Sequence, residues 1–364
     1  MSLVPNHIRN LIRYKAGKPI EEVKRELGLK KVIKLASNEN PLGPSIKAIK
    51  AIEESLSSIS LYPDSNGFYL REKLSEQFSL GIENVVLGAG SEGIMATIMR
   101  TFLNDSDHIL ATKNSFIGFR VLANASGKKI DWVPMRGYSY DLDAMIDSIH
   151  DNTKIIYLAN PDNPTGTYFN KDMFDDFIKQ VPDRCLVILD EAYCEYASHL
   201  VDYPDSMNYR YNNVITLRTF SKSYGLAGLR VGYGFAHSDL ISNLMKVKLP
   251  FEPSVPAQVA AIAALDDKGH LEKSLKLNMD QMTRFENVLK NLKIPYIPSS
   301  ANFVTLKFSN EKDAKVFTDK FLENGVILRH LSSFGLPECV RVTIGNELDM
   351  DYFIDKLEPI MECV

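Results

Sequence analysis

Four short segments of the chain carry residue types that could do chemistry. The first, Gly88-Ala89-Gly90-Ser91-Glu92-Gly93, follows an apolar run and opens a helical pattern. Glycines there let the backbone approach an anion, and a helix start offers unpaired N–H groups and the positive end of its dipole. The literal G-x-G-x-x-G spacing invites a dinucleotide reading, which also requires a carboxylate about 20 residues on. The chain has Ala111-Thr112-Lys113-Asn114 there, with no acid. The same stretch falls one glycine short of a hydrolase nucleophile elbow around Ser91. The downstream histidines His270 and His330 stand in no triad context. What survives is a phosphate cradle, or simply a tight turn into a helix.

The other three segments are Asn160-Pro161-Asp162-Asn163-Pro164-Thr165-Gly166, Leu189-Asp190-Glu191-Ala192-Tyr193, and Arg218 to Arg230, which contains Ser221-Lys222. Each sits at the C-terminal end of a predicted strand, where open α/β sheets bind ligands. Singly, each has an ordinary explanation. Asn-Pro-Thr-Gly makes a good turn, Asp190 could cap a helix, and Lys222 could be solvated as most lysines are.

The elements that would position these segments can be read from periodicity. Strand candidates are Asn84–Leu87, His108–Ala111, Ile130–Val133, Lys154–Leu158, Leu186–Leu189, Val214–Leu217 and Arg230–Phe235. Amphipathic stretches such as Ile94, Ile98 and Phe102, or Met173, Phe174 and Phe177, lie between several of them. That alternation predicts a mainly parallel, seven-stranded α/β sheet flanked by helices. The Arg218–Leu229 link is short for a helical crossover, which leaves room for an antiparallel pairing of the last two strands. After residue 265 the pattern becomes a smaller α+β unit. It comprises a helix over Gly269–Leu292, strands Phe303–Leu306, Val326–Leu328 and Val340–Thr343, and helices Glu311–Glu323 and Leu348–Ile360. A chain of 364 residues exceeds one ordinary core. The expectation is a large domain over 45–268 and a small one formed by 1–44 with 269–364.

Together the four segments resemble the fold-type-I pyridoxal-phosphate aminotransferases, and more closely their histidinol-phosphate branch. The resemblance runs through nearly the whole chain. It includes Tyr14-Lys15-Ala16-Gly17-Lys18, Lys34 to Ser45 (with Ser37-Asn38-Glu39-Asn40-Pro41-Leu42-Gly43-Pro44), Tyr62-Pro63-Asp64, and Val340-Arg341-Val342-Thr343-Ile344-Gly345. The Ser-Lys-(x)7-Arg spacing with Asn-Pro-Thr-Gly and Asp-Glu-Ala-Tyr upstream carries the superfamily; the Asn-Glu-Asn-Pro-Leu-Gly-Pro run narrows the branch.

The resemblance implies pyridoxal 5′-phosphate as cofactor, held as an imine on Lys222, whose freed amine then moves the substrate proton. Asp190 is implied as the acid that keeps the ring nitrogen charged, which makes the ring an electron sink. Tyr193 and Asn163 are implied on the ring hydroxylate. Gly90, Ser91, Glu92, Ser221 and Arg230 are implied on the phosphate, where an arginine fork suits the geometry. Phe116 falls where the family stacks an aromatic ring on the cofactor, often a tyrosine. Arg341, Arg329, Tyr14 and Asn38 fall on the substrate side, and Tyr62 on the neighbouring subunit's phosphate, which implies a homodimer.

The implied reaction is transamination of L-histidinol phosphate with 2-oxoglutarate, giving imidazole acetol phosphate and glutamate in histidine biosynthesis. Aromatic-amino-acid transamination and threonine-phosphate decarboxylation are rivals on the same scaffold. An NAD-dependent dehydrogenase and a non-catalytic binding module are the alternatives from other classes. The net charge of −4 gives no global field for nucleic acid or an anionic membrane. Four scattered cysteines, no apolar signal core in Met1 to Gly17 and no membrane-length run point to a reducing cytoplasm. No histidine spacing indicates a metal.

Overall fold

The computed structural model describes residues 3–11, 13, 17–208 and 211–364. Strand β1 (Ile33–Lys34) precedes the seven strands of the main sheet. These are β2 (Val85–Gly88), β3 (His108–Thr112), β4 (Lys129–Val133), β5 (Thr153–Ala159), β6 (Leu186–Asp190), β7 (Val214–Thr219) and β8 (Gly232–Phe235). Their order is β2-β8-β7-β6-β5-β3-β4. Only β8 is reversed: it pairs antiparallel with both β2 and β7, while the remaining pairs are parallel. The return from Thr219 to Gly232 holds one short 3-10 turn, Ala227–Leu229, and no crossover helix, so the chain can only fold back beside its own strand. The expected α/β sheet, including that turnaround, is therefore present.

Period-2 alternation assigns each strand residue to a face. Ile109, Ile155, Tyr157, Ala159, Ile188 and Leu217 pack with Ile94, Met95 and Ile98 of the helix Gly90–Phe102. Leu110, Ile156, Leu158, Val187 and Leu189 face the other way, onto Phe174 and Phe177 of the helix Lys171–Ile178. Asp190 follows Leu189 and so returns to the Gly90–Phe102 side, the face Tyr157 occupies. Burial on both faces explains why these strands read as continuous apolar runs.

Beyond the long helix Lys268–Asn291 lie β9 (Tyr296–Ile297), β10 (Phe303–Lys307), β11 (Val326–Ile327), β12 (Arg329–His330) and β13 (Cys339–Thr343). Four of them form an antiparallel sheet in the order β12-β13-β10-β9, and β11 pairs with β1 in parallel. One core joins Ile33 and Leu35 to Phe285, Phe317, Phe321 and Phe353. The helix expected over Leu348–Ile360 is two, Glu347–Ile354 and Leu357–Met361. Pro359 has no N–H to donate back to residue 355, which breaks the first helix there. The two-residue strands β1, β9 and β12 were too short to show a period. No described helix is long and apolar enough to cross a membrane.

Candidate active site

A cleft opens at the C-terminal ends of the parallel strands, between the main sheet and the unit built on β10 and β13. Its floor is Asp190, the last residue of β6 and nearly inaccessible. The Tyr157 hydroxyl donates to Asp190 Oδ2 at 2.8 Å, and the Ala192 N–H to Oδ1 at 3.1 Å. Burial pushes the Asp190 carboxyl up to about 6; the two donors and the Lys222 amine oppose this, while Glu92 adds to it. Lys222 stands over the same floor. Its Nζ donates to the Ser37 carbonyl at 3.4 Å and lies 5.5 Å from the Tyr193 ring centroid. Tyr193 is buried; its ring meets Phe303 edge to face, and its hydroxyl accepts from Asn38 Nδ2 at 2.8 Å.

One side of the cleft is the start of the helix Gly90–Phe102, where no side chain caps the first N–H groups. Gly90 has φ +73°, and a Cβ there would come within 2.7 Å of Arg230 Nη2. A Cβ on Gly232 would lie 2.5 Å from the Ser91 nitrogen. The missing side chains keep this corner open. Arg230 reaches it from the far end of the β7–β8 return, with Nη1 donating to Ser221 Oγ at 3.4 Å and Nη2 to Glu92 Oε2 at 3.4 Å. Ser221 is held in turn by Thr219, whose hydroxyl donates to Ser221 Oγ at 3.0 Å. Phe116 lines the cleft just before the helix Ile117–Ala125. A Cβ on Gly118 would come within 2.6 Å of the Phe116 ring and 2.3 Å of Glu92 Oε1, so Gly118 makes room for both.

The opposite side carries two buried arginines. Arg341, in β13, donates from Nη1 to Asn163 Oδ1 and from Nη2 to the Ala36 carbonyl at 2.8 Å. Its guanidinium lies 5.2 Å from the Phe303 ring and 5.8 Å from that of Phe334. Arg329, opposite Arg341 in the β12–β13 pair, sits 5.6 Å from Phe334 and donates to Ser333 Oγ at 3.3 Å. Asn163 is presented by a loop tied down through Asp162, a fully buried carboxyl also pushed up to about 6 by burial. Ser115 and Thr165 donate their hydroxyls to it. Asn38 adopts φ +56° and is locked by reciprocal bonds with Thr343 at 2.9 Å each.

The structure thus gathers Ser91, Glu92, Phe116, Asn163, Asp190, Tyr193, Ser221, Lys222, Arg230, Arg329, Arg341 and Asn38 around one cleft, with Gly90 at its rim. Tyr62 is not among them within a single chain: it is 80% exposed and stacks on Phe251 at 4.4 Å. Tyr14 lies outside the described residues. Sequence reasoning missed Tyr157, Thr219, Gly232, Phe334 and the Ser37 carbonyl. The alternation of β5 could have placed Tyr157 on the Asp190 face; nothing local marks the others.

These groups fit pyridoxal phosphate. Burial disfavours the Asp190 carboxylate as an ion despite the nearby Lys222 amine, and a protonated ring nitrogen would relieve it. The uncapped helix start, cleared by Gly90 and Gly232 and faced by Ser221 and Arg230, suits a phosphate dianion. The Lys222 amine faces the space between.

Residues 30–357 match the family model of aminotransferase class I and II. A histidinol-phosphate aminotransferase from Caldicellulosiruptor saccharolyticus is 42% identical over 97% of this chain and 99% of its own length. Histidinol-phosphate aminotransferase 1 of Nitrosococcus oceani is 41% identical over 98% of this chain and 96% of its own. Among solved structures, the histidinol-phosphate aminotransferase from Sinorhizobium meliloti in complex with pyridoxal 5′-phosphate superposes with a TM-score of 0.91 at 26% identity. That match covers 100% of this chain and 98% of that one.

Proposed function

The chain belongs to the aminotransferase class I and II family, and on that premise we propose that it transfers the amino group of L-histidinol phosphate to 2-oxoglutarate. The products are imidazole acetol phosphate and glutamate, a step of histidine biosynthesis. One observation carries the reading: the Lys222 amine and the buried Asp190 share a cleft whose opposite wall presents Arg341 and Arg329.

When bound, pyridoxal phosphate supplies an aldehyde that takes up the amino group and a protonated ring that draws electrons from the bonds at the substrate Cα. The chain's own residues do the rest. Asp190, oriented by Tyr157 and the Ala192 N–H, keeps the ring nitrogen protonated. The Gly90, Ser91 and Glu92 N–H groups with Ser221 and Arg230 hold the phosphate. Tyr193 and Asn163 would bind the ring hydroxyl, and Phe116, which lines the same cleft, would pack against the ring. Lys222 Nζ would anchor the cofactor and, as a free amine beside the substrate Cα, would accept the Cα proton and give it back. The tie from Asn163 to Arg341 couples the ring to the substrate's anion.

The substrate pair explains two arginines. Histidinol phosphate offers a phosphate and no carboxylate, while glutamate offers carboxylates; a guanidinium fork takes either. Asn38 completes that side, and Tyr14 is assigned to it by the family resemblance alone. Steady-state kinetics should show a clear preference for histidinol phosphate over phenylalanine and tyrosine. A preference for the aromatic amino acids would retire the assignment. Borohydride reduction followed by peptide mapping should place the cofactor on Lys222.

The same reading includes a homodimer in which Tyr62 reaches the neighbouring phosphate site. Ile46, Ile59, Leu61, Tyr62 and Tyr69 are all more than half exposed, which supports a partner covering that surface. Sedimentation at equilibrium tests it. Four free cysteines, three of them buried, support a reducing cytoplasm. The separate core around Phe317 and Phe353 supports a small domain of 1–44 with 269–364 against a large one of 45–268.

A further inference from the structure

At the opposite edge of the main sheet, three side chains from three segments converge. His108 opens β3, Asp131 lies in the middle of β4, and His150 stands in the turn before β5. His108 Nδ1 and His150 Nε2 each lie 2.9 Å from the same oxygen, Oδ2 of Asp131. The three donor atoms fall within 4.8 Å of one another, and the two rings meet edge to face at 4.7 Å. The cluster is partly open to solvent: side-chain exposure is 15% for His108, 34% for Asp131 and 43% for His150.

The backbone beneath is fastened. The His108 N–H donates to the Asn152 carbonyl at 2.8 Å, Thr153 N–H to the His150 carbonyl at 2.8 Å, and Asn152 Nδ2 to the Ser106 carbonyl at 3.0 Å. The parallel β3–β4 ladder fixes Asp131 beside them. Three donors already converge, so little ordering is left for an ion to impose.

We propose that His108, Asp131 and His150 form a site for a divalent transition-metal ion of the zinc type, with water completing its coordination. Two imidazoles and one carboxylate suit zinc, cobalt or nickel, whereas magnesium and calcium favour all-oxygen shells. The ion replaces the protons now shared with Asp131. It also displaces the 3.2 Å contact from the Asn152 N–H to His150 Nδ1, because that nitrogen carries the proton once Nε2 binds metal. The linear sequence hides the site, since its ligands are separated by whole elements. Its effect is structural: it clips the edge strand β4 to β3 and to the start of β5, remote from the cleft.

The test uses the chelator-washed holoenzyme in a Cys363→Ser background, which removes the exposed thiol. Titration with Co2+, followed by its visible absorption and displaced by Zn2+, should show one equivalent per chain and a raised thermal midpoint. His150→Ala and Asp131→Asn should each weaken binding by more than about tenfold and abolish the thermal shift, with kcat unchanged. Absence of a stoichiometric Co2+ band, or wild-type affinity in both variants, overturns the site. Should His150→Ala fail to fold, Asp131→Asn, which keeps the side-chain shape, decides alone.

Discussion

The Tyr157 hydroxyl donates to Asp190 Oδ2 at 2.8 Å, linking neighbouring strands on the face turned to the helix Gly90–Phe102. Hydrogen bonds to an ionised group contribute about 1.5–3 kcal/mol. Tyr157→Phe should therefore keep the fold, lower kcat by about tenfold or more, and loosen the cofactor. Visible absorbance during dialysis and steady-state rates check both.

Asp190→Asn should separate stability from activity. Burial holds the Asp190 carboxyl at about 6 against an ordinary 3.8. Between those values the cofactor-free folded protein binds more protons than the unfolded chain. Stability from this group is thus present below about pH 4 and is lost as pH rises through 6. Cofactor-free Asp190→Asn should exceed the cofactor-free wild type by on the order of 1–3 kcal/mol at pH 7.5, and the gap should close towards pH 4. A shallower slope should persist from Asp162, also near 6. Turnover of the variant should fall by orders of magnitude. Denaturant melts across pH and kinetics measure the two effects.

Gly232→Ala should cost cofactor retention before anything else. The new methyl would sit 2.5 Å from the Ser91 nitrogen, inside the corner assigned to phosphate. Forced repacking of this kind costs about 1–3 kcal/mol. Equilibrium dialysis against pyridoxal phosphate should show the loss, with native circular dichroism.

Asn38 combines a left-handed backbone with a side chain bonded to Tyr193 and Thr343. Asn38→Gly keeps the backbone and removes the bonds; Asn38→Ala removes both. The alanine variant should be less stable than the glycine variant by about 1 kcal/mol. Both should show a similarly impaired kcat/KM. Equal stability of the two would remove the backbone argument.

Arg341→Lys keeps the charge and loses the fork that engages Asn163 and the Ala36 carbonyl. KM for histidinol phosphate and for 2-oxoglutarate should both rise, by about 10–100-fold. A change in melting alone would remove Arg341 from the substrate side.

Much of this was legible because the main sheet is buried on both faces. Runs such as Lys154–Leu158 and Leu186–Leu189 fell within one or two residues of β5 and β6, since doubly buried strands must be apolar throughout. The short Arg218–Leu229 link correctly left β8 free to reverse. The small unit was less legible. A two-residue strand such as β12 has no period, and the break before Leu357 depended on one proline. In the cleft, motif residues were visible by type. Their supports were not: Tyr157 looked like one more core aromatic, and Gly232 like one more strand residue. The convergence of His108, Asp131 and His150 is a product of strand order alone.

The reversal of β8 also fixes a length. Ser221, Lys222 and Arg230 ride on one uninterrupted return whose two feet are planted in adjacent strands. Their mutual spacing is set by that span, whereas Arg329 and Arg341 belong to the other sheet. New amino donors can accordingly be sought by redesigning the arginine-bearing wall, leaving the coenzyme's moorings untouched.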